Sequence, residues 1–151
     1  MTRILILQGP NLNRLGTREP SYYGRKTLDE IHGDIALMGA QEGFDPLFFQ
    51  SSHEGALIDR IHQAADEHVD GIVANLGAYT HTSIAIRDAF LSVGIPVVEV
   101  HLSNVYRRES FRTKSLISDI AEGVISGMGP VVYRLGIIGL LDTITRKKPG
   151  S

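Results

Sequence analysis

The chain has 151 residues, 42% hydrophobic and 21% charged, a make-up suited to one globular domain long enough to bury a core. Lys and Arg number 15 against 17 Asp and Glu, a balance that excludes a basic footprint for nucleic acid or an anionic membrane. With no cysteine, disulfides, thiolate metal sites and a Cys nucleophile are excluded as well.

The first strand is "RILIL" (3–7), an apolar run too short for the core of a signal peptide. Arg134 interrupts the last apolar region, so no membrane span is expected and the cytoplasm is the expected location. After the strand comes "GPNLNRLGTREPSYYGRK" (9–26), a loop of the length that often serves as a lid, with Gly16 and Gly24 near its ends. It carries Arg18, Tyr22 and Tyr23. A phenol that titrates near ~10 serves as a base at neutral pH only when its anion is stabilised, by about 3–4 kcal/mol, which close guanidinium groups supply. On composition alone the favoured reading is a pair of tyrosines that anchor the loop by packing. The loop has neither the Gly-x-Gly spacing nor the Lys-Ser/Thr of nucleotide-binding loops.

Thr27-x-x-Glu30 is a capping box that opens a helix over 28–41, and "PLFF" (46–49) is the second strand. Ser51-x-x-Glu54 reads as another capping box before a helix over 55–68. "GIVA" (71–74) is the third strand. It runs into "NLGAYTHTSIAIRD" (75–88), where Ile86, Ala89, Phe90 and Val93 recur at i, i+3, i+4 and i+7 and mark a buried helical stripe. "PVVEV" (96–100) and the shorter "GVISG" (123–127) complete five strands. The last helix starts at Pro130, runs to about Lys147 and is apolar on two sides. One stripe is Ile137, Leu140, Leu141 and Ile144; the other is Val131, Leu135 and Ile138. The second calls for either another subunit or a deeper core.

Strands alternating with helices imply an α/β chain: a flavodoxin-like three-layer fold with a five-stranded parallel sheet, one domain over 1–151. In such folds the ligand site lies beyond the carboxyl ends of the strands. Asn11, Ser51 to His53, Asn75 to Ser83 and His101 to Asn104 are therefore expected on one edge. Glu99 and His101 stand two apart on a strand, hence on one face, where the carboxylate fixes the imidazole tautomer and frees its other nitrogen for a substrate. A Glu directed into a parallel sheet is expensive without a purpose. His53, His81, His101 and Glu99 lack helical i, i+4 ligand spacing, so a metal is not expected, and neither Ser83 nor Ser103 sits in a Gly-x-Ser-x-Gly elbow. Arg107, Arg108 and Arg112 follow closely; in a helical turn Arg108 and Arg112 point the same way and suit a carboxylate, the alternative being a solvated basic surface. Asn75 and His81 suit ring hydroxyls. The edge thus reads as a pocket for a small polyhydroxylated carboxylic acid.

"GPNLN", "REP" followed by "YG", "QSSHEG", "GAYTHTS", "IRDA", "EVHLSN" and "ESFR", in this order, closely resemble type II 3-dehydroquinate dehydratase over about residues 4 to 127. The resemblance implies a flavodoxin-like enzyme that needs neither metal nor cofactor and removes water from 3-dehydroquinate, giving 3-dehydroshikimate in the shikimate route. It implies Tyr23 as the base, Arg18 as support for its anion, and Asn11 as holder of a water on the enolate. His101 corresponds to the acid, steadied by Glu99. Asn75, His81, Arg108, Arg112 and the backbone around Leu102 and Ser103 correspond to substrate contacts. Asp88 corresponds to a residue that reaches a neighbouring subunit's site, in a dodecamer built as a tetramer of trimers. The helix amino end after Tyr79 is expected to add donors for an anion, with Thr80 and Thr82 as its caps. Gln8, Tyr106, Arg107 and Lys114 depart from the family pattern; Gln8 is expected to alter the site floor and Arg107 to compete with Arg108 for ion partners. The alternative reading is a flavodoxin-like cofactor-binding module, with a yellow chromophore. A receiver domain needs an Asp where Asn75 stands.

Overall fold

In the computed structural model, which describes residues 1–17 and 25–148, the apolar runs become five parallel strands: β1 (Thr2–Gln8), β2 (Phe44–Gln50), β3 (Gly71–Asn75), β4 (Val97–His101) and β5 (Gly123–Ser126). The helices are α1 (Leu28–Glu42), α2 (Glu54–Asp66), α3 (Ile84–Val93) and α4 (Val131–Lys147). The strand order is β2-β1-β3-β4-β5, the flavodoxin-like order, so the direction of winding reverses between β1 and β3. Each strand found from its apolar run is present, one or two residues longer or shorter at its ends.

Strand alternation splits the core into two layers. Ile4, Ile6, Val73, Val98 and Val100 face α1 and α4, where they meet Ile31, Ile35, Val132, Tyr133, Ile137 and Leu140. Leu5, Leu7, Ile72, Ala74 and Val97 face α2 and α3, packing with Leu57, Ile61, Ile86, Ala89 and Phe90. With both faces covered, the interior strand β1 is apolar at successive positions, and Ile4 to Leu7 are wholly buried. β2 is one of the two edge strands and holds Pro46, a residue that sheets tolerate at an edge.

The helix starts divide the sequence reading. Thr27 and Glu30 form the expected capping box: the Glu30 N–H donates to Thr27 Oγ1 at 3.2 Å and the Thr27 N–H to Glu30 Oε1 at 3.3 Å. The Ser51 box is corrected. The cap of α2 is His53; Ser51 Oγ accepts from the His53 N–H at 3.0 Å, making a local turn that uses up the hydroxyl. Glu54 instead accepts from the Ser83 hydroxyl at 2.5 Å. On α4, Ile137, Leu140 and Ile144 are buried, while Val131, Leu135 and Ile138 are exposed. The second apolar stripe is therefore surface, not deeper core.

Glycines allow close approaches between elements, among them those at Gly136 and Gly9. A Cβ on Gly136 of α4 would stand 2.9 Å from Val100 Cγ1, which sets how near the helix lies to β4. A Cβ on Gly9, just after β1, would stand 2.2 Å from the Leu76 carbonyl oxygen. The obstruction at Gly9 is backbone, held by the Gly9 N–H donating to the Asn75 carbonyl at 2.8 Å. Gly9→Ala is expected to destabilise the fold by about 1–3 kcal/mol or more, the range of overpacking strain. Thermal unfolding measures it; an unchanged midpoint would show that the β1 and β3 exits separate without cost.

Candidate active site

Beyond the carboxyl ends of β1, β3 and β4 lies a cleft. Asn11, Asn75, His81, His101, Leu102, Ser103, Arg108 and Arg112 line it together with Pro10, Gly77 and Ala78. Asn11 enters it from a residue with φ 70°, in the left-handed region that Asn adopts more readily than other non-glycine residues, and its carbonyl accepts from the Arg14 N–H to close the turn. Ser51 to His53, expected on the same edge, do not line the cleft.

Glu99 and His101 come from β4, on the face toward α2 and α3. Glu99 is 2% exposed, and its Oε2 accepts from His101 Nε2 at 2.5 Å. Its Oε1 accepts from Ser118 Oγ at 2.6 Å and Ser115 Oγ at 3.0 Å. Burial pushes this carboxyl up, but the His101 hydrogen bond, the Ser118 hydroxyl, attraction to His101 and the Ser115 hydroxyl together hold it below its ordinary 4.5. The carboxylate is thus ionised and oriented. With Nε2 engaged, His101 has Nδ1 left to give or take a proton.

His81 is oriented from the opposite wall: its Nδ1 donates to the Lys114 carbonyl at 2.7 Å, and its ring lies 6.4 Å from that of His101. Lys114 thus contributes main chain here, which any residue supplies. Arg108 and Arg112 both reach the cleft, but not from one helix. Short 3₁₀ turns at Val105–Arg107 and Ser110–Arg112 are separated by an extended Arg108. Glu109 gathers the two guanidinium groups, at 3.2 Å from Arg112 Nε and 3.7 Å from Arg108 Nε, while Arg108 Nη1 donates to Ser103 Oγ at 3.4 Å. The neighbouring Tyr106 and Arg107 are exposed and outside the cleft lining.

The cap of α3 is Ser83, whose Oγ accepts from the Ile86 N–H at 2.9 Å, which corrects the expectation for Thr80 and Thr82. Thr80 is fully buried, and Thr82 Oγ1 donates back to the Ala78 carbonyl at 3.5 Å. Since Ser83 caps α3 and the cleft is lined by Gly77, Ala78 and His81, the short turn Gly77–His81 borders the ligand space, not the amino end of α3. Asp88 is on the exposed side of α3, away from the cleft. Arg18, Tyr22 and Tyr23 lie outside the described residues. Among the described residues, no group of three or more His, Asp or Glu is placed to hold a metal ion, and no helix is long and apolar enough to cross a membrane.

The sequence reading missed three contributors. Ser115 and Ser118 are ordinary loop serines until the fold brings them to Glu99. Tyr133 hides in the apolar stripe of α4, yet its hydroxyl meets Asn75 and Gln8. Gln8, a departure from the family pattern expected at the site floor, is fully buried and accepts from that hydroxyl at 2.7 Å.

Fold and cleft together define a flavodoxin-like α/β protein with an acid–base site at the carboxyl edge of its sheet. The family model described as Dehydroquinase class II matches residues 2–141, and the chain belongs to that family. A 3-dehydroquinate dehydratase of Polynucleobacter asymbioticus is 50% identical over 95% of this chain and 96% of its own length. The 3-dehydroquinate dehydratase 1 of Pseudomonas aeruginosa is 52% identical over 97% and 99%. The type II dehydroquinase crystal structure from Butyrivibrio crossotus superposes with a TM-score of 0.91 at 43% identity, covering 93% of this chain and 97% of that one.

The Glu99 carboxyl predicts a pH effect. Its native pKa lies below the unfolded value, so its contribution to stability is complete above the unfolded value and is lost as pH falls through the native one. Glu99→Gln removes that contribution. From about pH 4.5 downward, near the unfolded carboxyl value, unfolding midpoints of the parent chain should fall more steeply than those of the variant. Parallel acid limbs would show that Glu99 is not held ionised by its partners.

Proposed function

We propose that the chain dehydrates 3-dehydroquinate to 3-dehydroshikimate in the shikimate pathway, as one catalytic domain over residues 1–151. The observation that carries the reading is the buried Glu99–His101 pair opening onto a cleft that also holds Asn75, His81, Arg108 and Arg112. In the proposed sequence a base takes the proton from the carbon beside the ketone, and the C–H electron pair becomes the enolate. The enolate then re-forms the carbonyl as the C–O bond breaks, and the departing hydroxyl leaves as water with a proton from His101. Tyr23 is the base and Arg18 its electrostatic support, both assigned by family likeness. Asn11, at the cleft edge, holds the water that steadies the enolate oxygen.

Glu99 acts through His101, by fixing its ring and tautomer. Arg112 and Arg108 are placed for the substrate carboxylate, the first held by Glu109 and the second beside Ser103. Asn75, His81 and the Leu102–Ser103 backbone take the ring hydroxyls. The reaction needs no metal or cofactor, since proton transfers and one preorganised polar site account for it. The flavodoxin-like cofactor module is set aside by the family to which the chain belongs. A cytoplasmic setting goes with the proposed place in the shikimate pathway.

Adding 3-dehydroquinate to the purified protein should raise the ultraviolet absorbance of a conjugated enone. Tyr23→Phe should abolish that signal while substrate still binds. His101→Ala and Glu99→Gln should each lower turnover by about 10²-fold or more, and the double variant should be little worse than His101→Ala alone. Losses that multiply would give Glu99 a task independent of His101.

Assembly is proposed as a dodecamer, a tetramer of trimers. Asp88 is flanked on the outer side of α3 by exposed Ile84 and Leu91, and α4 presents Val131, Leu135 and Ile138. Apolar stripes of this kind are suited to subunit contacts. Asp88→Ala should weaken activity while leaving the subunit folded, and sedimentation should report an oligomer; a fully active monomer contradicts the assembly.

A further inference from the structure

At the ends of β1 and β3, Gln8 and Asn75 are register partners on the same sheet face, and Tyr133 of α4 reaches both. All three are buried. The phenol has one hydrogen, and burial pushes its pKa to about 12, so the hydrogen stays. Gln8 Oε1, 2.7 Å away, is an acceptor only and takes that hydrogen. The phenol oxygen is then left to accept from Asn75 Nδ2 at 3.1 Å. Gln8 is itself oriented, because its Nε2 donates to His32 Nε2 at 3.3 Å.

A carboxamide is nearly the same shape with its oxygen and nitrogen exchanged, but a ligand meets donor and acceptor in opposite places. Besides Tyr133, the other contact among the described residues that distinguishes the two orientations of Asn75 is the Gly77 N–H, 3.4 Å from Oδ1, which is long for a hydrogen bond. Tyr133 therefore supplies the stronger preference. We propose that Tyr133 is a positioning residue that fixes the donor and acceptor ends of Asn75 toward the substrate, with Gln8 setting the direction of the phenol hydrogen. The proposal rests on the reading of this cleft as the 3-dehydroquinate site with Asn75 as a contact. It also gives the departure at position 8 a consequence, since Gln8 alters the cleft floor through a residue 125 positions away.

The test is steady-state kinetics, followed by enone absorbance, on the parent chain, Tyr133→Phe, Gln8→Met, Asn75→Ala and the Asn75→Ala/Tyr133→Phe double variant. Circular dichroism and thermal unfolding accompany each. A tyrosine that merely fills the core would lower the unfolding midpoint and leave KM alone. Positioning through Asn75 predicts a KM raised about fivefold in Tyr133→Phe, the scale of one neutral hydrogen bond, with kcat changed less. The effect should vanish in the Asn75→Ala background. Gln8→Met, nearly the same shape and without the acceptor, should raise KM in the same sense, and it carries the test if Tyr133→Phe does not fold. An unchanged KM in the folded single variants, or an equal rise with and without Asn75, overturns the proposal and leaves the dehydratase reading standing. If the parent chain does not convert 3-dehydroquinate at all, that reading fails instead, and the proposal with it.

Discussion

A carboxylate buried in the middle of a parallel sheet cannot be left to itself. Removing Glu99 from water costs several kcal/mol unless its oxygens are satisfied, and each hydrogen bond to a charged group returns about 1.5–3 kcal/mol. Three such bonds reach it, from His101, Ser115 and Ser118. The serines lie on the long connection between β4 and β5, so that connection must fold back over the end of β4. In doing so it carries Arg108 and Arg112 to the cleft and presents the Lys114 carbonyl to His81. The cationic side of the site and the tautomer of His81 are thus consequences of how one buried charge is accommodated.

The two faces of the sheet contribute different chemistry to the same edge. The face toward α2 and α3 sends up the ionised Glu99 and its imidazole, a unit able to move a proton. The face toward α1 and α4 sends up Gln8, Tyr133 and Asn75, which remain neutral and hold hydrogen-bond direction instead of charge. β1 and β3 join the two through the Gly9–Asn75 backbone bond, which needs a residue without a side chain at position 9. Separation by pleat keeps the amides out of contact with the carboxylate.

Local patterns were legible where one short segment carries the whole signal. The apolar runs announced β1 to β5, the Thr27 box announced α1, and the spacing of Glu99 and His101 announced a shared face. The strand-end rule places Asn11, Asn75, His81 and His101 at one edge, and they do line one cleft. Reading failed where several hydroxyls compete for similar turns. Ser51 bonds two residues ahead and forfeits the cap, and Ser83 takes the place given to Thr80 and Thr82. Arg108 and Arg112 converge through two broken turns that no helical spacing describes. Tyr133 was illegible for a different reason: its ring obeys the apolar stripe of α4, and its partners are 58 and 125 residues distant.

The open edge of the sheet also has a bearing on how the chain behaves among its own copies. Among the described residues β2 runs seven residues with a neighbouring strand on one side only, the kind of strand that invites a second chain to pair along it. Pro46 stands near its start, opposite Ile4, and has no N–H to offer a newcomer. Asp45 beside it carries charge and pairs with Arg3 at 3.8 Å. Fibrillar growth along this edge would therefore lose a rung and have to desolvate an ion pair at its first step. Exchanging Pro46 for a β-branched residue would strengthen the strand as a strand, and in the same stroke make the chain more prone to aggregate.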